Sequence, residues 1–286
     1  MRFLVLGASG MAGHVIAIYL REKGHDVVGL TRKPVSFVQN ITLDAEDAYA
    51  LRRVVEDGNY DVVVNAIGLL NQEAEDFKAS AVYLNAYLPH YLASITRNST
   101  TRIFHMSTDC VFAGNTGPYT EKTTPDGRTF YDRTKALGEL VDHKNMTFRN
   151  SIVGPDISPN GIGLFNWFMK QSGTVDGYVK AMWNGITTIE LARAMMIAAE
   201  GTSTGLVNLV PDAPVSKYEL LCMFNQAIRG GELVIRPKNP FVLDKTLKRE
   251  NEQFPYKVRN YASQISTMRE WIIDHQYLYP HYRIRG

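Results

Sequence analysis

The sequence predicts an α/β protein built on a doubly wound parallel sheet, followed by a smaller C-terminal α/β region. Three observations carry this. The chain opens on a short apolar run, Arg2-Phe3-Leu4-Val5-Leu6, which ends in a glycine turn and passes into a helical pattern. Apolar strand-like runs then alternate with helical patterns as far as Val153, the order that βαβ units produce. With 286 residues, 45% hydrophobic and 21% charged, the chain has the composition of an ordinary globular protein with a sizeable core.

The elements follow in order. Arg2 to Leu6 reads as a buried parallel strand. Gly7-Ala8-Ser9-Gly10-Met11-Ala12-Gly13 comes next, then a helical pattern from Val15 to Leu20. Glycines spaced G-x-x-G-x-x-G permit a tight turn, close approach of backbone to a pyrophosphate, and close helix–strand packing. A turn without a ligand is the ordinary alternative, but the flanking strand and helix favour nucleotide binding. Val27 to Leu30 is the second strand, ending in Thr31-Arg32-Lys33. Cations at the place where an acid often holds ribose hydroxyls favour a 2′-phosphate, hence NADPH with NADH as the alternative. Ile41 to Asp44 is a third short strand, with Asp44 where an adenine would lie, and Ala45 to Glu56 is helical. Tyr60 to Asn65 leads into Ala66-Ile67-Gly68, small enough for a cofactor to pass. A long helix is expected from Asp76 to Thr96, with Asn85 inside it. Thr101 to Met106 is the strand that delivers Ser107, Thr108 and Asp109 to its carboxyl end, where open α/β sheets bind ligands.

Tyr131-Asp132-Arg133-Thr134-Lys135 is the chemical centre of the reading. On a helix, the four-residue spacing puts Tyr131 and Lys135 on one face. An ammonium beside a phenol lowers its pKa, giving a general acid for a carbonyl oxygen, and Thr108 could hold the same oxygen. Such a pair arises by chance on many helices; the glycine turn and Ser107-Thr108 give it weight. The helix is expected to continue to Leu140, and a strand to run from Met146 to Val153. Beyond Gly154-Pro155 the alternation weakens. Phe165 to Met169 reads as a short helix, Ser216-Lys217-Tyr218-Glu219 as a capping box opening a helix, and Ala262 to His275 as the last helix.

Composition narrows the classes. Lys+Arg 31 against Asp+Glu 29 leaves a net charge of +2, which argues for neither nucleic acid nor a membrane surface. No run approaches the ~18 apolar residues of a membrane span. Cys110 and Cys222 are too isolated for a disulfide framework or zinc site, so a reducing cytoplasm is expected.

Taken together, the glycine turn, Ser107-Thr108-Asp109-Cys110-Val111-Phe112, Tyr119-x-Glu121 and Tyr131-x-x-x-Lys135-Ala136-Leu137-Gly138-Glu139 resemble the extended short-chain dehydrogenases/reductases. Within them the likeness is to the dTDP-4-dehydrorhamnose reductase branch. The resemblance is dense over about the first 155 residues and returns at Asn184 to Ala192 and Gly205 to Leu220. It implies a Rossmann-type dinucleotide-binding domain over residues 1–153, to which later segments return, and a mainly substrate-binding region over 154–286. It also implies reduction of the 4-keto group of a nucleotide-linked 4-keto-6-deoxy sugar, for surface polysaccharide. Tyr131 would be the proton donor, Lys135 its partner and a ribose contact, and Thr108 the carbonyl-orienting hydroxyl. Gly7, Ser9, Gly10, Met11, Arg32, Asp44, Ala45, Ala66, Ile67 and Gly68 would line the dinucleotide. Thr108, Asp109, Cys110 and Trp183 would meet the sugar nucleotide.

Similar 4,6-dehydratases need an acid pair directly after the threonine; here Cys110 follows Asp109, which favours simple reduction. Arg149-Asn150-Ser151-Ile152 and the loop Asp156 to Gly163 depart from the branch where substrate contacts would lie. A UDP-linked 2-acetamido-2,6-dideoxy-4-keto sugar is therefore an alternative substrate, and a non-catalytic regulatory subunit the alternative of another class. No metal is expected, since no acid cluster suggests one, and a homodimer is left open.

Overall fold

The computed structural model describes residues 1–285. Seven strands form the central sheet: β1 (Arg2–Leu6), β2 (Asp26–Thr31), β3 (Gln39–Thr42), β4 (Val62–Asn65), β5 (Arg102–Ser107), β6 (Met146–Arg149) and β7 (Gly205–Asn208). Their order is β7-β6-β5-β4-β1-β2-β3, and every pairing is parallel. The order reverses between β1 and β4, which opens a crevice at the carboxyl ends of the strands. Alternation along each strand feeds two core layers. Phe3, Val5, Val62, Val64, Phe104 and Phe148 enter one; Leu4, Leu6, Val28, Leu30, Val63 and Ile103 enter the other. A sheet covered on both faces explains why its strands read as continuous apolar runs.

Much of the chain beyond Val153 comes back to this sheet. Gly205–Asn208 extends it beside β6. The Thr188–Glu200 helix packs on the Met11–Glu22 helix, and the Tyr261–Asp274 helix packs on Thr188–Glu200. A smaller layer stands apart: Thr174–Tyr178 pairs with Val234–Lys238, and both lie against the Lys217–Arg229 helix. Ser216 and Glu219 form the expected capping box at that helix's start. No helix among the described residues is long and apolar enough to cross a membrane.

Three elements differ from the sequence reading, each through a long-range contact. The single helix expected from Asp76 to Thr96 is broken at Phe77, and Val82–Tyr87 is a π-helical stretch. Inside it Asn85 accepts from Leu69 N–H at 2.9 Å and donates to Leu69 C=O at 2.9 Å and to Thr134 at 3.2 Å. The strand expected from Met146 to Val153 splits at Asn150-Ser151, because Ser151 C=O takes the Ile186 N–H and draws Ile152–Val153 into a separate pair with Ile186–Thr187. The helix carrying Tyr131 runs from Phe130 to Leu137 and stops at Gly138. A Cβ at Gly138 would lie 2.0 Å from the Asn85 carbonyl oxygen.

The opening turn needs its glycines for separate reasons. Gly7 has φ +76°, and a Cβ at Gly13 would stand 2.1 Å from the Gly7 carbonyl oxygen. The first helix can approach β1 only because Gly13 has no side chain. Gly13→Ala is expected to destabilise the protein by about 1–3 kcal/mol, the usual cost of overpacking. Chemical denaturation measures it, and an unchanged midpoint would refute the close-packing argument.

Candidate active site

A cavity of about 510 Å³ lies along the crevice. Gly7, Ser9 and Gly10 form one wall, Arg32, Asp44 and Ala45 its far end, and Ala66, Ile67 and Gly68 its floor. Nine of the ten residues expected to line the dinucleotide thus line one space, whereas Tyr131 and Lys135, also expected to contact it, stand outside this lining. Met11 does not line it; its sulfur lies against Gly163, 2.9 Å from where a Cβ there would stand. The donor set suits a dinucleotide. The Met11–Glu22 helix begins at Gly10 with no side-chain cap, whereas helices beginning after Asp47, Thr129, Thr187, Ser216 and Asn260 are all capped by those side chains. Uncapped N–H groups at a glycine-lined helix start are suited to a phosphate.

The chemical groups meet at the carboxyl end of β5. Thr129 and Asp132 form a reciprocal capping box that starts the helix, and Glu75 accepts the Phe130 N–H at 2.7 Å. These contacts fix Tyr131 in the first turn and Lys135 one turn on. The Thr108 hydroxyl lies beside the Tyr131 phenol and opposes the rise of its pKa; it donates to Asp109 Oδ1 at 3.2 Å and accepts from Cys110 N–H at 3.1 Å. Lys135 is buried, and its Nζ donates to Met106 C=O at 2.6 Å and stands 3.4 Å from His105 Nε2.

The electrostatics overturn one expectation. Burial pushes the Tyr131 phenol above its ordinary range, with Cys110, Asp109 and Asp132 adding to the rise and Thr108 opposing it. Desolvation sets the direction, and Lys135 is not among the groups that shift the phenol, so Tyr131 is held protonated rather than poised near neutrality. Burial also lowers Lys135 to about 8, against the opposing pull of Glu139.

The second half of the chain contributes a residue that sequence reasoning missed. Lys217, the first residue of its helix, stands with its Nζ 4.9 Å from the centre of the Trp183 ring. Burial lowers it to about 8, opposed by the nearby Asp109 and Cys110. Asp109 is raised by burial, opposed by Lys217 and Lys245. Burial, helped by Asp109, pushes the Cys110 thiol up to about 12, so it is no nucleophile here. Trp183, expected to meet the sugar nucleotide, is packed away from solvent. It is 4% exposed, donates to Ser151 Oγ at 2.8 Å, and lies between Lys217 and the Tyr261 ring. It acts as a seat for Lys217. The only local signal at Lys217 was a capping box, which marks a helix start and not what its first side chain reaches.

The chain is similar to several known proteins. Residues 1–153 match the sequence family described as the RmlD substrate binding domain. A Streptomyces niveus protein named dTDP-4-keto-6-deoxy-D-glucose reductase is 34% identical over 244 residues, covering 82% of this chain and 82% of that protein. A Streptomyces griseus protein named dTDP-4-dehydrorhamnose reductase is 37% identical over 140 residues, covering 48% of this chain and 43% of that protein. The fold is shared with a Bacillus anthracis dTDP-4-dehydrorhamnose reductase solved in complex with NADP, at a TM-score of 0.78 and 15% identity, covering 93% of this chain and 98% of that one.

The two lysines make a pH prediction. Both are about 8 in the fold, below the ordinary lysine value of 10.5. Between these values the unfolded chain binds more protons, so stability rises with pH from about 8 towards 10. Above 10 the raised tyrosines, Tyr131 among them, reverse the slope, because the folded state then holds protons that the unfolded chain has lost. Denaturant unfolding of the protein and of Lys217→Met across this range checks it. The variant should show a smaller rise, and equal slopes would refute the buried-lysine assignment.

Proposed function

The chain belongs to the RmlD substrate binding domain family, and on that footing we propose that it reduces the C4 ketone of a dTDP-linked 4-keto-6-deoxy sugar with NADPH. The observation that carries this is the meeting of Thr108, Tyr131 and Lys135 beside a cavity floored by Ala66, Ile67 and Gly68. Bound NADPH supplies the hydride. Gly7, Ser9, Gly10 and the uncapped helix start hold its pyrophosphate, Arg32 meets the 2′-phosphate, and Asp44 and Ala45 flank the adenine. The Thr108 hydroxyl orients the ketone oxygen. As that oxygen becomes an alkoxide, the Tyr131 O–H breaks and its proton goes to the oxygen. A phenol that burial keeps protonated surrenders its proton only to so strong a base. Lys135 stabilises the phenolate left behind.

Residues 154–286 supply much of the substrate side. Lys217 and Lys245, both acting on Asp109, are suited to an anionic sugar nucleotide. The 244-residue match to the Streptomyces niveus protein is longer than the 153 residues of the family match, so that likeness reaches into the second half. This favours dTDP-4-keto-6-deoxy-D-glucose as the first substrate to try.

The test is NADPH oxidation with dTDP-4-keto-6-deoxy-D-glucose, its epimerised L-lyxo counterpart, and the UDP-2-acetamido analogue. Tyr131→Phe should lower kcat by about 10²–10⁴ while leaving NADPH binding nearly intact. Activity that survives this change would sink the assignment. Lys217→Met should raise KM for the sugar nucleotide roughly tenfold, the worth of a hydrogen bond to a charged group, with the NADPH KM little altered. If NADPH binds but none of the three sugars reacts, the regulatory-subunit reading replaces this one.

A further inference from the structure

We infer that His105, oriented by Asn65, is a positioning residue that presents an N–H to Lys135 and makes the lysine a proton carrier for Tyr131 rather than a fixed ammonium. This rests on the reductase reading for its purpose, not for its geometry. Asn65, the last residue of β4, and His105, two residues before the end of β5, are fully buried and paired across the two strands. The orientation of the Asn65 amide is decided by the backbone: its Oδ1 accepts from Ile67 N–H at 3.2 Å. Its Nδ2 therefore faces His105 Nδ1, 3.3 Å away, and must donate. Nδ1 is then the acceptor of a neutral imidazole, and the proton sits on Nε2. That Nε2–H points at Lys135 Nζ, 3.4 Å away.

An N–H aimed at an amine nitrogen favours its lone pair and disfavours the ammonium. The other groups around Lys135 are Glu139 on its own helix, which favours the ammonium, Tyr131 one turn back, and the Met106 carbonyl on β5. His105 itself is held neutral by burial, with Lys135 and His90 acting in the same direction. Burial by itself lowers Lys135, and the His105 N–H would act in the same direction. The proton account closes. Tyr131 gives its O–H proton to the C4 oxygen, the Lys135 ammonium gives an N–H proton to the phenolate, and the neutral Nζ accepts from His105 Nε2–H until solvent returns the proton.

Two measurements test this without turnover. Long-range ¹H–¹⁵N correlation of the wild-type imidazoles should show His105 as the Nε2–H tautomer; the Nδ1–H tautomer would overturn the inference. The second uses Asn65→Asp, an isostere that still accepts from Ile67 N–H but turns an acceptor towards His105. It forces the Nδ1–H tautomer and offers the Nε2 lone pair to Lys135. In protein labelled with ¹³C at lysine Cε, the Lys135 titration midpoint should rise by about one pH unit or more. A folded Asn65→Asp protein with an unmoved midpoint would refute the proposal. Loss of turnover in wild type would instead count against the reductase reading, so the two failures are distinguishable.

Discussion

The buried ion pair between Glu139 and Arg149 holds the ends of β5 and β6 against the chain just past the Tyr131 helix. Arg149 donates from Nε to Glu139 Oε1 at 2.8 Å and from a terminal nitrogen to Oε2 at 2.5 Å, and Ser107 Oγ donates to the same carboxylate at 2.6 Å. Three elements are tied by one carboxylate: the end of β5, the end of β6, and the chain just past the Tyr131 helix. Thr108 follows Ser107 directly, and Lys135 lies one helical turn before Glu139. Their separation is therefore set by a bidentate contact between buried groups, a geometry that resists small adjustments. Removing one partner would leave the other charged and unpaired in the core, at about 3–5 kcal/mol. The arginine also lies 5.0 Å over Phe112, which stacks on Tyr119 at 4.2 Å. The Tyr119 hydroxyl accepts N–H bonds from Gly114, Asn115 and Thr116. One ion pair thus organises the site and the loop beside it.

Around that pair, low dielectric acts with opposite sign on acid and base. It raises Tyr131 and lowers Lys135 and Lys217, so every one of these groups is biased towards its neutral form. With both lysines at about 8, their ammonium charges are still held at neutral pH beside a protonated phenol. On the proposed reading these cations face the negative charge that a ligand brings. Donors that are already oriented need no rearrangement at the moment of reaction.

The parallel sheet, the glycine turn and the helix face shared by Tyr131 and Lys135 were legible because each depends on local spacing. Apolar runs bounded by turns name buried strands, and four-residue spacing names a helix face. What escaped the sequence depends on partners far along the chain. Asn85 bends its helix into a π-turn to satisfy the Leu69 backbone. Ser151 leaves β6 because Ile186 supplies its carbonyl with a partner. Lys217 reaches Trp183 across more than thirty residues of chain. The direction of the Tyr131 shift failed for a related reason: spacing reports that a lysine is near, but not how much water both groups have lost.

The same long-range logic joins the end of the chain to its beginning. His14 lies beneath the glycine turn and is held neutral, at about 4, mainly by burial. Its Nδ1–H must donate to Gly10 C=O at 2.8 Å, so its Nε2 accepts from the Tyr279 hydroxyl at 2.7 Å. The Tyr279 oxygen in turn accepts from Trp271 Nε1–H at 3.0 Å. Each donor in this chain has one acceptor and each tautomer is determined, which fixes the Gly10 carbonyl inward. With that carbonyl held inward, the N–H groups of the first helical turn are left facing the cavity. The C-terminal segment, far from Gly10 in sequence, is thus part of the structure that orients the start of the first helix. A division of the chain at Val153 therefore does not describe what holds the glycine turn in position, because that turn is braced by the last helix and the segment beyond it.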